Sequence, residues 1–174
     1  MTRAATLWLT GLPCSGKTTL ATALATTLRA RGTPVLILDG DEVRTTLSAD
    51  LGFDAASRDE NVRRVAAVAA LAVKNGITAI VALVSPHRAA RDAARAKHGE
   101  LPFLEVHLSA PLSVCEARDV KGLYARARAG KAKDVTGVDA PYEAPSAPEL
   151  SLPPDVSVAA AVERVLALLT APSR

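Results

Sequence analysis

The stretch Gly11-Leu12-Pro13-Cys14-Ser15-Gly16-Lys17-Thr18, preceded by the apolar run Thr6-Leu7-Trp8-Leu9-Thr10, decides how the rest of the chain is read. A glycine, four residues and then Gly-Lys-Thr is the spacing of a Walker A phosphate loop. Gly11 and Gly16 let the backbone curl until successive N–H groups converge on one anion. A helix opening near Lys17 brings the positive end of its dipole to the same point. Lys17 then reaches the β- and γ-phosphates, and the Thr18 hydroxyl is placed to hold Mg²⁺. A chance match in a glycine turn is the competing reading. It explains neither the strand-like run in front nor the helical pattern behind, both of which the motif requires. The implied ligand is a nucleoside triphosphate, with Gly11 through Thr18 as its candidate contacts.

Working outward, residues 4–10 read as a buried parallel strand and residues 17–31 as a helix, with Leu20, Ala23, Leu24, Thr27 and Leu28 at helical spacing. Gly32 stops that helix, and Val35–Leu38 follow as a second buried strand, completing a βαβ unit. Helices are expected over 41–48, 59–74, 87–97, 111–118 and 156–169, and strands over 77–84, 103–108 and 150–152. Between about 119 and 148 apolar periodicity fades and Pro141, Pro145 and Pro148 cluster, as in a lid or linker. Strands alternating with helices predict an α/β fold, an open parallel sheet with helices on both faces, in a single domain spanning 1–174.

Bulk properties narrow the function classes. The chain has 174 residues, 49% of them hydrophobic but only 3% aromatic, so Ala, Val and Leu must build the core. A net charge of +3 without a Lys/Arg-rich tract does not imply a nucleic-acid partner. No apolar run reaches membrane-spanning length and no signal peptide is evident, so a cytoplasmic location is expected. Cys14 and Cys115 suggest neither a disulfide framework nor a metal site. Cys14, inside the phosphate loop, raises the question of sensitivity to thiol oxidation. His87, His98 and His107 are too scattered for a metal site and read as surface or sheet residues, and Trp8 as a core residue of the first strand.

Ligands of such sheets bind beyond the carboxyl ends of the strands, here just past residues 10, 38, 84 and 108. After residue 38 comes Asp39-Gly40-Asp41-Glu42-Val43-Arg44. A carboxylate there can accept the proton of an attacking hydroxyl or organise Mg²⁺ waters. Asp39 equally fits a helix cap, whereas Asp41 suits the functional role better. Arg44 and Arg58 lie near Phe53, where planar guanidinium groups suit phosphate or sulfate oxygens. Arg63, Arg64 and Arg91 divide evenly between solvated surface and ligand contact. Phe53, one of two Phe residues, offers a stacking face for a base or an anchor for the turn.

Taken together, these motifs resemble the adenylylsulfate (APS) kinases. The resemblance runs through Gly11–Thr19, Leu38-Asp39-Gly40-Asp41, Leu51-Gly52-Phe53, Arg58–Arg64, Ser85-Pro86-His87-Arg88, Cys115–Asp119, Lys121-Gly122-Leu123-Tyr124 and Thr136-Gly137-Val138-Asp139, closing on Pro141-Tyr142-Glu143. It covers nearly the whole chain and implies a P-loop kinase with a lid, a commonly homodimeric state, and Mg²⁺ with ATP as co-substrate. The implied reaction moves the ATP γ-phosphate to the 3′-hydroxyl of adenylyl sulfate, giving 3′-phosphoadenylyl sulfate for sulfate assimilation. Matching positions make Lys17 and Asp41 catalytic, and Thr19 and Arg118 ATP contacts. Asp39, Arg44, Phe53, Arg58, Asn61, Val84, Lys121, Val135 and Thr136 become acceptor contacts. Ser85 matches the serine credited in the family with a phosphoenzyme intermediate. With no general base beside it in sequence, direct in-line transfer is the simpler reading, with Ser85 lining the acceptor pocket.

The chain departs from the family pattern at Val135, where Phe is usual, and at Asp134, Glu42 and His87. A valine wall suits a smaller base, so a cytidine diphosphoramidate acceptor stands as the alternative. A GTPase-like switch is the reading from another class. Its Asp-x-x-Gly matches, Asp119–Gly122 and Asp134–Gly137, both fall in the lid, and no Asn-Lys-x-Asp reader is present.

Overall fold

The computed structural model describes residues 3–170. Five strands, β1 (Thr6–Thr10), β2 (Val35–Asp39), β3 (Thr78–Ala82), β4 (Phe103–Leu108) and β5 (Leu150–Leu152), form one parallel sheet in the order β2-β3-β1-β4-β5. The helices are α1 (Lys17–Ala30), α2 (Gly40–Thr45), α3 (Ala55–Lys74), α4 (Arg88–His98), α5 (Leu112–Ala117), α6 (Leu123–Arg128) and α7 (Val158–Thr170). Alternation along the strands divides the core. Leu7 and Leu9 of β1 face α1 and α7 together with Ile80, Ala82, Val106 and Leu108. Trp8 points to the other face, where Ala79, Val81 and Phe103 meet Val62, Val65 and Ala69 of α3 and Ala94 of α4. The open parallel sheet covered on both faces is as expected, and it leaves the carboxyl ends of β1 and its neighbours free to form a crevice.

Local signals explain where element bounds shift. Helix α3 begins at Ala55, four residues before the expected start, because the Asp54 carboxylate accepts the Ser57 N–H at 3.0 Å and the Ser57 hydroxyl at 2.7 Å. Helix α2 ends at Thr45 rather than 48, and β3 ends at Ala82 rather than 84. The segment 119–148 is more structured than its composition predicts. The Asp119 carboxylate accepts the N–H groups of Leu123 and Ala125, starting α6, and Tyr124 and Val135 bury themselves with Ala110 and Cys115 in a third small core. The Tyr124 hydroxyl donates to the Pro13 carbonyl at 2.9 Å, fastening this segment onto the phosphate loop. His98 is neither surface nor sheet. It is buried in the last turn of α4, within hydrogen-bond distance of Thr6 Oγ1 (2.8 Å) and the Ala94 carbonyl.

Candidate active site

Beyond the carboxyl edge of the sheet lies one cavity of about 1050 Å³, running from α2 and α3 on one side to β5 and α7 on the other. The phosphate loop forms its floor. Gly11 is held at φ 155°, and a Cβ there would lie 2.6 Å from the Leu108 carbonyl oxygen. Backbone against backbone leaves nothing to swing aside, so Gly11→Ala is expected to weaken nucleotide binding more than about tenfold and to lower Tm by several degrees. Calorimetric titration and thermal unfolding check both. Gly16, at φ 101°, caps α1 so that its first N–H groups open into the cavity.

Lys17 is 8% exposed. Its Nζ donates to the carbonyls of Gly11 (2.9 Å) and Leu12 (2.7 Å) and to Ser15 Oγ (3.3 Å), folded back onto its own loop. Burial pushes its pKa down to about 8, against the weaker upward pull of neighbouring thiols and of Asp39 and Asp41. Asp39 does two jobs. One carboxylate oxygen caps α2 by accepting the Asp41 N–H at 3.0 Å, and the other accepts the Thr18 hydroxyl at 2.7 Å. Asp41 points into the cavity and pairs with the Lys121 ammonium, which that contact holds above the ordinary lysine range. Cys14 has a positive φ of 62°, and burial, reinforced by Asp119, pushes its thiol pKa up. That makes it a poor thiolate and answers the question of oxidation sensitivity in the negative.

At the α2–α3 end stands a cationic, aromatic corner. Phe53 is 58% exposed, so it is no buried anchor. The guanidinium of Arg44 sits 4.8 Å from its ring centre and that of Arg58 5.9 Å. Arg58 donates from Nε to the Phe53 carbonyl and from Nη2 to the Asp134 carbonyl, joining this corner to the segment 119–148; burial lowers the pKa of both arginines. Asn61 Oδ1 and Thr136 Oγ1, both on residues that line the cavity, are buried without a hydrogen-bond partner. Such orphaned acceptors are rare in a finished core and mark places a ligand can satisfy. Ser85 lines the same end in a left-handed conformation, φ 41°. Its Oγ accepts the Trp8 indole N–H at 3.1 Å and lies 3.4 Å from the Leu83 carbonyl.

Nearly every candidate residue therefore meets in one cavity: Pro13 through Thr19, Asp39, Asp41, Arg44, Phe53, Arg58, Asn61, Val84, Ser85, Arg118, Lys121, Val135 and Thr136. Two do not line it. Gly11 lies against the Leu108 carbonyl, and the Leu12 side chain packs against the small core of Ala110, Cys115, Tyr124 and Val135. Arg63 and Arg64 engage Glu60 and Asp50 on the surface, and Arg91 is buried, so none of the three reaches the cavity. The β5–α7 end was not anticipated. Leu152, Pro153, Pro154 and Val156, with Leu108 and Ala110, give it an apolar wall, and Arg118 donates to the Pro154 carbonyl at 3.0 Å. The strand-end rule that located the other corners also points past residue 152, the end of the three-residue strand β5.

Hydroxyl and carboxylate oxygens at Thr18 and Asp39 are hard donors in contact with one another, as Mg²⁺ prefers. No cluster of three or more His, Cys, Asp or Glu side chains able to hold a metal occurs among the described residues. Nor is any described helix long and apolar enough to cross a membrane.

The adenylylsulphate kinase family model matches residues 3–153. An adenylyl-sulfate kinase of Shewanella denitrificans is 52% identical over 168 residues, covering 95% of this chain and 81% of the relative. One of Picosynechococcus is 47% identical, covering 97% and 94%. Among solved structures, the Mycobacterium tuberculosis APS kinase in complex with AMPPNP and APS superimposes with a TM-score of 0.94 at 42% identity, covering 98% of this chain and all of that one. A sugar kinase from Janibacter, 20% identical with a TM-score of 0.64, shares the fold alone. With its phosphate loop, Asp-Gly-Asp turn and segment 119–148 drawn around one cavity, the chain belongs to the adenylylsulphate kinase family and is a kinase.

Proposed function

We propose that the protein transfers the γ-phosphate of ATP to the 3′-hydroxyl of adenylyl sulfate, giving ADP and 3′-phosphoadenylyl sulfate. The observation that carries this reading is the shared cavity. A triphosphate floor and a cationic, aromatic corner open onto the same space, with Asp41 on the wall that joins them. A neighbour 42% identical is solved in complex with AMPPNP and APS.

ATP places its phosphates on the loop N–H groups and Lys17, and its base between Arg118 and the apolar wall at Pro153–Pro154. Thr18, beside Asp39, would hold Mg²⁺, which when bound neutralises phosphate charge. Adenylyl sulfate lays its adenine against Phe53 and its phosphosulfate near Arg44 and Arg58, while Asn61 and Thr136 gain hydrogen-bond partners. The Asp41 carboxylate takes the 3′-hydroxyl proton as that oxygen attacks the γ-phosphorus in line and the bond to ADP breaks. Before that step Lys121, paired with Asp41 in the ligand-free protein, turns from it to contact the nucleotides. Ser85 engages Trp8 and a backbone carbonyl rather than a base, which supports direct transfer over a phosphoserine intermediate. The homodimer belongs to this reading too, and light scattering at twice 18.0 kDa checks it.

The testing experiment is an ADP-release assay with Mg-ATP, offering adenylyl sulfate and a cytidine diphosphate-type acceptor at matched concentrations. Saturable turnover with adenylyl sulfate is expected. Val135 favours the second acceptor, since it gives the cavity an aliphatic wall there; turnover with that acceptor alone would replace the assignment. Phe53→Ala gives an independent check. The ring is exposed, so stability should hardly change. Losing one base–aromatic stack is expected to raise the acceptor KM by about 5- to 100-fold, with the ATP KM within about twofold.

A further inference from the structure

We propose that Arg91, which does not reach the cavity, is a positioning residue that ties the acceptor-side turn Ser85–Pro86 to the returning end of the lid. Arg91 lies on α4 and is 2% exposed. Its guanidinium donates in three directions: from Nε to Glu105 Oε1 on β4 at 2.8 Å, from Nη1 to the Ser85 carbonyl at 2.6 Å, and from Nη2 to the Glu143 carbonyl at 2.6 Å. Its plane also approaches the Tyr142 ring, with 5.8 Å to the centroid. A planar fork of donors reaches three acceptors set at fixed angles; an ammonium in its place cannot hold all three.

What those acceptors have in common is the acceptor end of the cavity. Ser85 is one of three described non-glycine residues with positive φ, a conformation that side-chain-bearing residues hold only under outside restraint. The restraints are visible: the Trp8 indole on its hydroxyl and Arg91 on its carbonyl. Alongside runs the lid's return, residues 141–144. The Glu143 N–H donates to the Pro86 carbonyl at 2.8 Å, its carboxylate accepts the Arg88 N–H at 2.7 Å, and Arg88 Nη2 donates to the Ala144 carbonyl at 3.0 Å. Tyr142 lies 3.0 Å from Thr10 Oγ1, which itself donates to the Val84 carbonyl. Arg91 is thus the buried post to which both the turn under the acceptor and the returning end of the lid are fastened. A core ion pair that served packing alone would need only Glu105.

The assignment of this end to the acceptor rests on the function proposed above, so the test includes a readout that needs no substrate. In Arg91→Lys the charge on Glu105 stays compensated while the fork is lost. The acceptor KM is expected to rise at least about tenfold, with the ATP KM within about twofold. Hydrogen exchange at the Glu143 amide of the free enzyme is expected to quicken at least about tenfold. Tyr142→Phe, which removes only the hydroxyl link to Thr10, should change the same two readouts by about threefold. Parallel rises in both KM values, or unchanged exchange at Glu143 in folded Arg91→Lys, would overturn the proposal. If Arg91→Lys does not fold, Glu105→Gln, which weakens the carboxylate that orients the guanidinium, decides, and unchanged exchange at Glu143 there overturns the proposal. Turnover of wild-type enzyme with adenylyl sulfate tests the underlying function separately, and the exchange result stands whichever nucleotide is the acceptor.

Discussion

Lys17→Met is expected to abolish phosphoryl transfer, by about 10³-fold or more in kcat, while leaving the ligand-free protein at least as stable as wild type. Phosphoryl transfer depends on positioning and charge neutralisation in a water-poor site, where one lost donor costs about two to three orders of magnitude. Stability moves the opposite way because Lys17 is buried with only carbonyl and hydroxyl oxygens for partners. Burial takes its pKa from 10.5 to about 8. Between those values the unfolded chain still holds the proton and the folded chain has released it. Stability of the ligand-free wild type therefore rises with pH across that window, by up to about 3 kcal/mol, and below it the charged lysine is a burden on the fold. Methionine removes the burden and the pH slope with it. Chemical denaturation at several pH values reads the slope, and an ADP-release assay reads the rate. Survival of more than about 1% of wild-type kcat would remove Lys17 from the phosphate-binding role. The same burial predicts that triphosphate binding near pH 8 draws a proton from solution, seen as a buffer-dependent heat in calorimetry.

Asp41→Asn is expected to lower kcat by about 10²- to 10⁴-fold while the ATP KM stays within about threefold, because a general base acts chiefly in the transition state. The amide keeps the shape of the carboxylate but cannot take a proton from the acceptor hydroxyl. Asp41 and Lys121 are both largely exposed, so their ion pair adds little to stability and Tm should barely change. Near-native kcat in this variant would sink the assignment of Asp41 as base.

The phosphate loop and the sheet could be read from the chain because each rests on local chemistry: glycines at forced φ, a lysine at fixed spacing, apolar runs too short for surface helices. The corner at Arg44, Phe53 and Arg58 was legible for a related reason, since it follows the carboxyl end of a strand. Other features resisted reading because distant residues make them. Helix α6 forms in a charged stretch through the Asp119 cap and the burial of Tyr124 against the phosphate loop. Pro153 and Pro154 join the cavity only because β5 pairs with β4 in a register that composition does not announce. In the sequence Arg91 divides evenly between solvated surface and ligand contact, and it is neither. Its partners are 6, 14 and 52 residues away, beyond the reach of any periodicity.

The scarcity of aromatic residues has a use at the bench. Trp8 is the single tryptophan of the chain, fully buried, and its indole N–H ends on the hydroxyl of Ser85. All indole emission from the protein therefore originates at one point, one hydrogen bond from the turn beneath the proposed acceptor. A change in that turn alters the polarity around a lone chromophore, whereas events at the distant Pro153–Pro154 wall do not touch it. The enzyme carries its own optical probe of that turn, with no label to attach and no second tryptophan to subtract.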